Sequence, residues 1–337
     1  MKKALLFVLT VLFLTSSLTG CSISGNVTAD TVAHTSSVIP DQGKVDLYFC
    51  PQDNCEEALV SFLDSAQSSI YCALYDLGLP SVQQTLLDQQ KQIEVKIVTD
   101  SDYLKKFNHS FVKADTYGLM HNKFCIIDGK KISSGSMNPT NNDAHKNNNN
   151  LLLIESRVIA KNYEEEFQEM WSGHFKKGAK VKNAKVQLNN IFIETYFCPE
   201  DNCAEQVREE LQKAEESIYF MTFSFTHEGI ANILLLKNLD GLEVKGVMET
   251  RQISEYSQFD RLSQNNIDVL KDKNKNNLHH KVFIIDRKTV VTGSFNPTAN
   301  GDKHNDENLI IIEDPEIAQQ FVKEFEKVYA EAKELES

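Results

Sequence analysis

His121-Asn122-Lys123-Phe124-Cys125-Ile126-Ile127-Asp128, six residues, then Gly135-Ser136-Met137-Asn138: this eighteen-residue pattern occurs twice in the chain. Its second copy, His279-His280-Lys281-Val282-Phe283-Ile284-Ile285-Asp286 and, six residues on, Gly293-Ser294-Phe295-Asn296, lies 158 positions downstream. A chain that repeats His, Lys, Ser and Asn at identical spacing builds one site from two halves. Alternation along a strand puts His121 and Lys123 on one face, continued inward by Cys125 and Ile127, and His279 and Lys281 repeat the arrangement. An imidazole can attack phosphorus or protonate a leaving oxygen, while an ammonium two residues away neutralises a non-bridging oxygen. Ser136, Asn138, Ser294 and Asn296, just past a Gly turn, are expected to add neutral donors to the same oxygens. This inventory fits phosphoryl transfer with neither metal nor cofactor.

His-x-Lys-x4-Asp followed by Gly-Ser-x-Asn resembles the signature of the phospholipase D superfamily, and both copies match it throughout. The resemblance implies an α/β fold of two repeated sandwich domains packed with pseudo-two-fold symmetry. It also implies a two-step reaction: one motif His forms a phosphohistidine, and the other protonates the leaving alcohol and then activates water. In the family the motif Asp is structural, which gives Asp128 and Asp286 a supporting role. A further family position lies 28 residues after each motif His, where an acidic side chain orients the histidine of the opposite half. The second half has Glu307 there and the first has Asn149. A carboxylate fixes the imidazole tautomer and stabilises its charged form better than an amide does, so the two histidines are expected to be unequal. With Glu307 facing His121, the reading takes His121 as nucleophile and His279 as general acid.

The repeat extends beyond the motif. Phe49-Cys50-Pro51-Gln52-Asp53-Asn54-Cys55 recurs as Phe197-Cys198-Pro199-Glu200-Asp201-Asn202-Cys203, and Ser69-Ile70-Tyr71 as Ser217-Ile218-Tyr219. Glu94-Val95-Lys96 recurs as Glu243-Val244-Lys245, so a nine-residue insertion falls between Lys245 and His279. The segment 251–278 is therefore a candidate substrate-facing loop. Patterning predicts strands over 45–49, 93–98, 151–154 and 309–312, and helices over 56–67, 81–90, 158–175 and 315–334, with Asp53 or Asn54 capping the first. The organisation read from this is a first domain over 44–175, a polar linker over 176–190 and a second domain over 191–337.

Lys2 and Lys3 precede an apolar run, and Leu18-Thr19-Gly20-Cys21 resembles a lipoprotein signal, with residues 1–20 removed and Cys21 lipidated. Residues 21–43 then read as a flexible tether, which places the enzyme outside the cytoplasm on a membrane. Cys50/Cys55 and Cys198/Cys203 form two local pairs suited to disulfides, with a four-cysteine zinc site as the alternative. Cys72 and Cys125 align with Phe220 and Phe283, which reads as two buried core thiols. His109, His145, His174, His227 and His304 have no counterpart in the other half, and the Asn-rich run 141–150, which follows Asn138 directly, is expected near the site with no further role assigned to its asparagines.

Without the leader's two lysines the chain carries 33 basic and 48 acidic residues, a net charge of −15 that repels a polyanion at long range. An anchor would hold the site near membrane phosphodiesters at high effective concentration. The expected substrate is thus a phospholipid head-group ester. A membrane-anchored nuclease and a cardiolipin-synthase-like phosphatidyltransferase remain as alternatives, and the chain is expected to act as a monomer because both half-sites are in it.

Overall fold

The computed structural model describes residues 37–334. The leader, Cys21 and most of the tether lie outside the described residues. The tether's last residues are not a free linker, since Ile39–Asp41 pairs in parallel with the strand Lys185–Leu188.

Each half contributes one mixed sheet, and the two have the same strand order. In the first it runs Lys44–Cys50, Asn149–Glu155, Lys131–Gly135, Lys123–Ile127, Ser69–Leu74, Glu94–Thr99 and Val112–Ala114. In the second it runs Ile191–Cys198, Asn305–Glu313, Thr289–Gly293, Lys281–Ile285, Ser217–Thr222, Glu243–Met248 and Asp268–Lys271, widened at one edge by Lys185–Leu188 and Ile39–Asp41. The segment expected to be a plain linker therefore contains a strand.

Both faces of each motif strand are apolar because both are covered. Phe124 and Ile126 point to an inner core, Cys125 and Ile127 to an outer one, and Val282/Ile284 against Phe283/Ile285 repeat the division. The inner core is continuous across the halves, joining Tyr163 and Phe167 of the helix Arg157–Trp171 to Phe321 and Phe325 of the helix Pro315–Glu334. The outer cores lie beneath the helices Cys55–Asp64 and Pro80–Gln89 on one side, and Cys203–Gln212 and Glu228–Leu239 on the other. The result is an α/β sandwich repeated about a shared centre.

Several local expectations change. Asn54 occupies the helix N-cap position in the left-handed region, φ 53°, and its side chain does not cap. Asp53 instead turns back to accept from the Phe49 amide at 2.8 Å, as Asp201 does from Phe197 at 2.9 Å. Cys50–Cys55 and Cys198–Cys203 are disulfides, each tying a strand end to the first residue of the next helix. That uses the four cysteines a zinc site would have needed. Cys72 and Cys125 are not free thiols: they face each other on adjacent antiparallel strands and form a third disulfide. Their counterparts Phe220 and Phe283 are also cross-strand partners, with ring centroids 6.1 Å apart. The swap is of one facing pair for another, which aligning each position singly concealed.

The motif aspartates tie each hairpin to the loop before the neighbouring strand. Asp128 accepts from the amides of Gln67, Ser68 and Ser69 at 2.7–3.1 Å, and Asp286 from Glu215, Glu216 and Ser217 at 2.8–2.9 Å. Asp128 lies five positions after Lys123 along the strand, roughly 16 Å, so the carboxylate stands at the far end from the lysine. Asp128→Ala should cost about 1–3 kcal/mol of stability through orphaned amides while leaving turnover of the folded protein nearly unchanged. Urea unfolding alongside a turnover assay checks this. Lost turnover with unchanged stability would refute the structural assignment.

Candidate active site

The site is assembled by backbone pairing across the seam. Leu119–Met120, immediately before the first motif His, pairs in parallel with Asn305 and Asp306 of the second half. On the other side of the pseudo-dyad, Leu278 bridges Asn148. His121 N–H thereby donates to Asp306 O, and His279 N–H to Asn148 O, both at 2.9 Å. Each motif histidine is thus set beside the residue that follows its bridge partner in the other half, Glu307 for His121 and Asn149 for His279.

The side chains complete these contacts. His121 Nδ1 lies 2.8 Å from Glu307 Oε2, and His279 Nδ1 lies 2.9 Å from Asn149 Oδ1. Asn149 Nδ2 donates to the carbonyls of Asp143 and Asn147 at 3.0 and 3.3 Å, so its oxygen must face the imidazole. His279 therefore donates from Nδ1, which leaves Nε2 as its reacting atom. Tyr75 and Phe223 stand edge-on to His121 and His279, at centroid distances of 4.9 and 4.8 Å. Lys123 and Lys281 each place Nζ 5.0 Å from the same rings and donate to the carbonyls of His121 and His279 at 2.5 and 2.7 Å. Both lysines and both histidines are buried.

Burial dominates the electrostatics. Lys123 is pushed down to about 8 by desolvation, against the pull of the Glu307 and Asp143 carboxylates, and Lys281 lies well below its ordinary value for the same first reason, with Lys123 adding repulsion. His121 and His279 are held well below an ordinary imidazole, first by burial and then by the two lysine charges. Burial raises Glu307 to about 7. An arriving phosphodiester anion would oppose the lowering of the lysines and histidines by placing negative charge among them.

The Ser and Asn positions differ from expectation. Ser294 Oγ donates to Glu307 Oε2 at 2.6 Å, and Ser136 Oγ donates to Asn150 Oδ1 at 3.3 Å. Asn138 Nδ2 donates to Asp143 at 2.6 Å. These donors are occupied within the protein, and at Ser294 the bond steadies the carboxylate that holds a histidine. Among the described residues, Asn138 Oδ1 and Asn296 Oδ1, the same atom in the two halves, are buried without a protein partner, which calls for a donor from solvent or substrate.

The family described as "Cardiolipin synthase, PLD-like domain" matches residues 59–171 and again 207–329, one block per half. The chain belongs to the phospholipase D superfamily. It is accordingly a phospholipase D-like phosphodiesterase. It is 36% identical over 145 residues to a phospholipase D of Rickettsia felis, a stretch covering 42% of this chain and 72% of that protein. It is 30% identical over 136 residues to a mitochondrial cardiolipin hydrolase of Xenopus tropicalis, covering 36% of this chain and 65% of that protein. The crystal structure of phosphatidylserine synthase from Haemophilus influenzae superposes with a TM-score of 0.66 at 11% identity, over 87% of this chain and 88% of that one, which shows a shared fold.

Sequence reasoning set the Asn-rich run near the site and Asn149 against the opposite histidine, but gave its other asparagines no role. Asn147, Asn148, Asn149 and Asn150 are all buried and all contribute to the seam, and Asn150 Nδ2 crosses it to Thr292 at 2.8 Å. The inserted segment is not an open loop either. It holds the helix Phe259–Gln264 and the sheet strand Asp268–Lys271, then clasps the first half through Asn277 N–H, which donates to Asn147 Oδ1 at 3.0 Å. The run of asparagines was itself the available signal, because a solvated loop has no need of four amides in succession.

A lysine near 8 has a kinetic consequence. kcat/KM, which reports the free enzyme, should fall as pH rises past about 8, where Lys123 loses the charge that receives the phosphate. A pH profile on a small phosphodiester checks this, and a curve flat to well above that pH would contradict it.

Proposed function

We propose that the protein hydrolyses phospholipid head-group phosphodiesters through a covalent phosphohistidine, without a metal ion. The observation that carries the reading is the reciprocal pair of half-sites, each presenting one imidazole held through Nδ1 and one buried lysine. With Glu307 accepting from Nδ1, His121 Nε2 is the nucleophile. It forms the N–P bond as the P–O bond to the leaving alcohol breaks, and His279 Nε2–H delivers the proton to that alcohol. Neutral His279 then takes a proton from water, whose oxygen attacks phosphorus and returns His121. Lys123 and Lys281 supply the positive charge that the phosphate oxygens need in both steps.

Lipid is favoured over nucleic acid by the −15 charge expected for the processed chain, which opposes a polyanion, and by the lipoprotein-like leader. Three disulfides support an oxidising, extracytoplasmic setting. No helix among the described residues is long and apolar enough to cross a membrane, so the proposed attachment rests on Cys21. With both half-sites in one chain, a monomer suffices.

The detergent-solubilised full chain should release head group and phosphatidic acid from phospholipid vesicles, undiminished by EDTA, and leave single- and double-stranded oligonucleotides intact. Cleaved oligonucleotides with inert vesicles would make it a nuclease, exchange of head group without net hydrolysis would make it a transferase, and loss of activity on chelation would refute the metal-free mechanism. A denaturing quench at alkaline pH, where the N–P bond survives, should trap a phosphoenzyme in His279→Asn and none in His121→Asn, and the opposite pattern would exchange the two roles.

A further inference from the structure

The repeat hides a second exchange besides Asn149 for Glu307. At the 158-residue offset, Thr140-Asn-Asn-Asp143 aligns with Thr298-Ala-Asn-Gly301, and both threonines cap a short helix by accepting from the amide of the aligned residue, Asp143 or Gly301. The first half therefore has an acid at 143 and an amide at 149, while the second has glycine at 301 and an acid at 307. Each half holds one carboxylate, at different positions.

We propose that Asp143 is the positioning carboxylate of His279, lying six residues before the place its counterpart Glu307 occupies for His121. Asp143 Oδ2 lies 3.4 Å from His279 Nδ1, just behind the amide oxygen of Asn149. It is buried, and three donors hold it: the Asn138 amide at 2.9 Å, Asn138 Nδ2 at 2.6 Å and Asn147 Nδ2 at 2.5 Å. The Asn149 side chain is anchored to the backbone carbonyl of Asp143, so amide and carboxylate form one unit against the imidazole. In the second half this arrangement is closed sterically. A Cβ on Gly301 would come 2.5 Å from the carbonyl oxygen of Asn296, so an acid there requires the backbone to move, and position 307 carries the charge instead. Placing acids at both 143 and 149 would set two like charges against one imidazole, which explains why only one is present.

The inference rests on His279 being a reacting imidazole, and it supplies what the proposed first step requires. An amide can orient a ring but cannot balance the charge of an imidazolium. The charged and titratable groups acting on His279 are Asp143, Lys281, Lys123 and His121, of which only Asp143 favours the protonated ring. Asp143 itself stays ionised despite burial, through His279 and the bonds from Asn147 and Asn138.

The test is Asp143→Asn in the full chain, followed by kinetics on a small chromogenic phosphodiester and by NMR titration of the His279 ring. kcat should fall roughly tenfold to a hundredfold, a part of the ~10²–10⁴ that a positioned proton donor contributes, with KM little changed. Both the alkaline limb of kcat and the His279 titration should move to lower pH, because the charge favouring the protonated ring is gone. Asp143→Gly with Asn149→Glu, which copies the second half, should recover activity and titration relative to Asp143→Gly alone. That comparison decides the matter if Asp143→Asn fails to fold. An unmoved titration and limb in folded Asp143→Asn, or no recovery in the double variant, would overturn the proposal. A wild-type chain inert on every phosphodiester would instead overturn the hydrolytic reading, and the ring titration would still judge Asp143.

Discussion

The backbone pairing of Met120 with Asp306, and of Leu278 with Asn148, is the constraint on which the site depends. Neither half contains a complete histidine environment, because the group that orients each imidazole belongs to the other half. Two very short parallel bridges set the register. A one-residue slip would replace Glu307 with Asp306 or Asn308 against His121 and turn the side chains to opposite faces. The continuous inner core beneath the two long helices protects that register: the halves cannot separate without exposing Phe167, Phe321 and their neighbours. Packing and chemistry are therefore coupled, and damage at the seam should appear as lost activity before it appears as lost fold.

Burial of two lysines and two histidines in that seam works against stability. Ions removed from water carry a penalty of several kcal/mol each even after relaxation. Here it is offset in part by the Glu307 and Asp143 carboxylates, by carbonyls accepting from both ammonium groups, and by the ring faces of Tyr75 and Phe223. What remains is relieved by an anion entering the site. Charges fixed in this way by the fold act on a phosphate without reorganising.

The sequence made the repeat and the α/β class readable, because these depend on spacing and alternation, which survive in a linear chain, while the pairing of His121 with Glu307 was readable only through the family resemblance. It concealed features that depend on two positions at once. Cys72 and Cys125 looked like separate apolar sites because their relation is lateral, across two strands 53 residues apart in sequence. Of the asparagines at 147–150 only Asn149 had a readable role, because nothing in composition reveals that another half covers its neighbours. The insertion looked like a free loop because its strand is short and its partner strand lies earlier in the chain. Asp143 was legible in principle from its exchange with Gly301, but only after Asn149 had posed the question of where the missing carboxylate went.

On the proposed mechanism, that exchange lets a nearly symmetric site serve an asymmetric reaction. The proposed two-step displacement asks one imidazole to be neutral and nucleophilic while the other is charged and acidic, then asks the second to become a base. Direct contact at 2.8 Å sets the Glu307 carboxyl against His121 Nδ1, while burial and the two lysine charges favour the neutral ring. An amide at 2.9 Å backed by a carboxylate at 3.4 Å gives His279 a fixed tautomer and a more distant counter-charge, so the ring can lose its proton to a leaving group without surrendering it to its partner. Two identical half-sites would have equal claims on both roles. Moving one carboxylate from the end of a strand to a short helix distinguishes them while leaving every residue of the repeated motif in place.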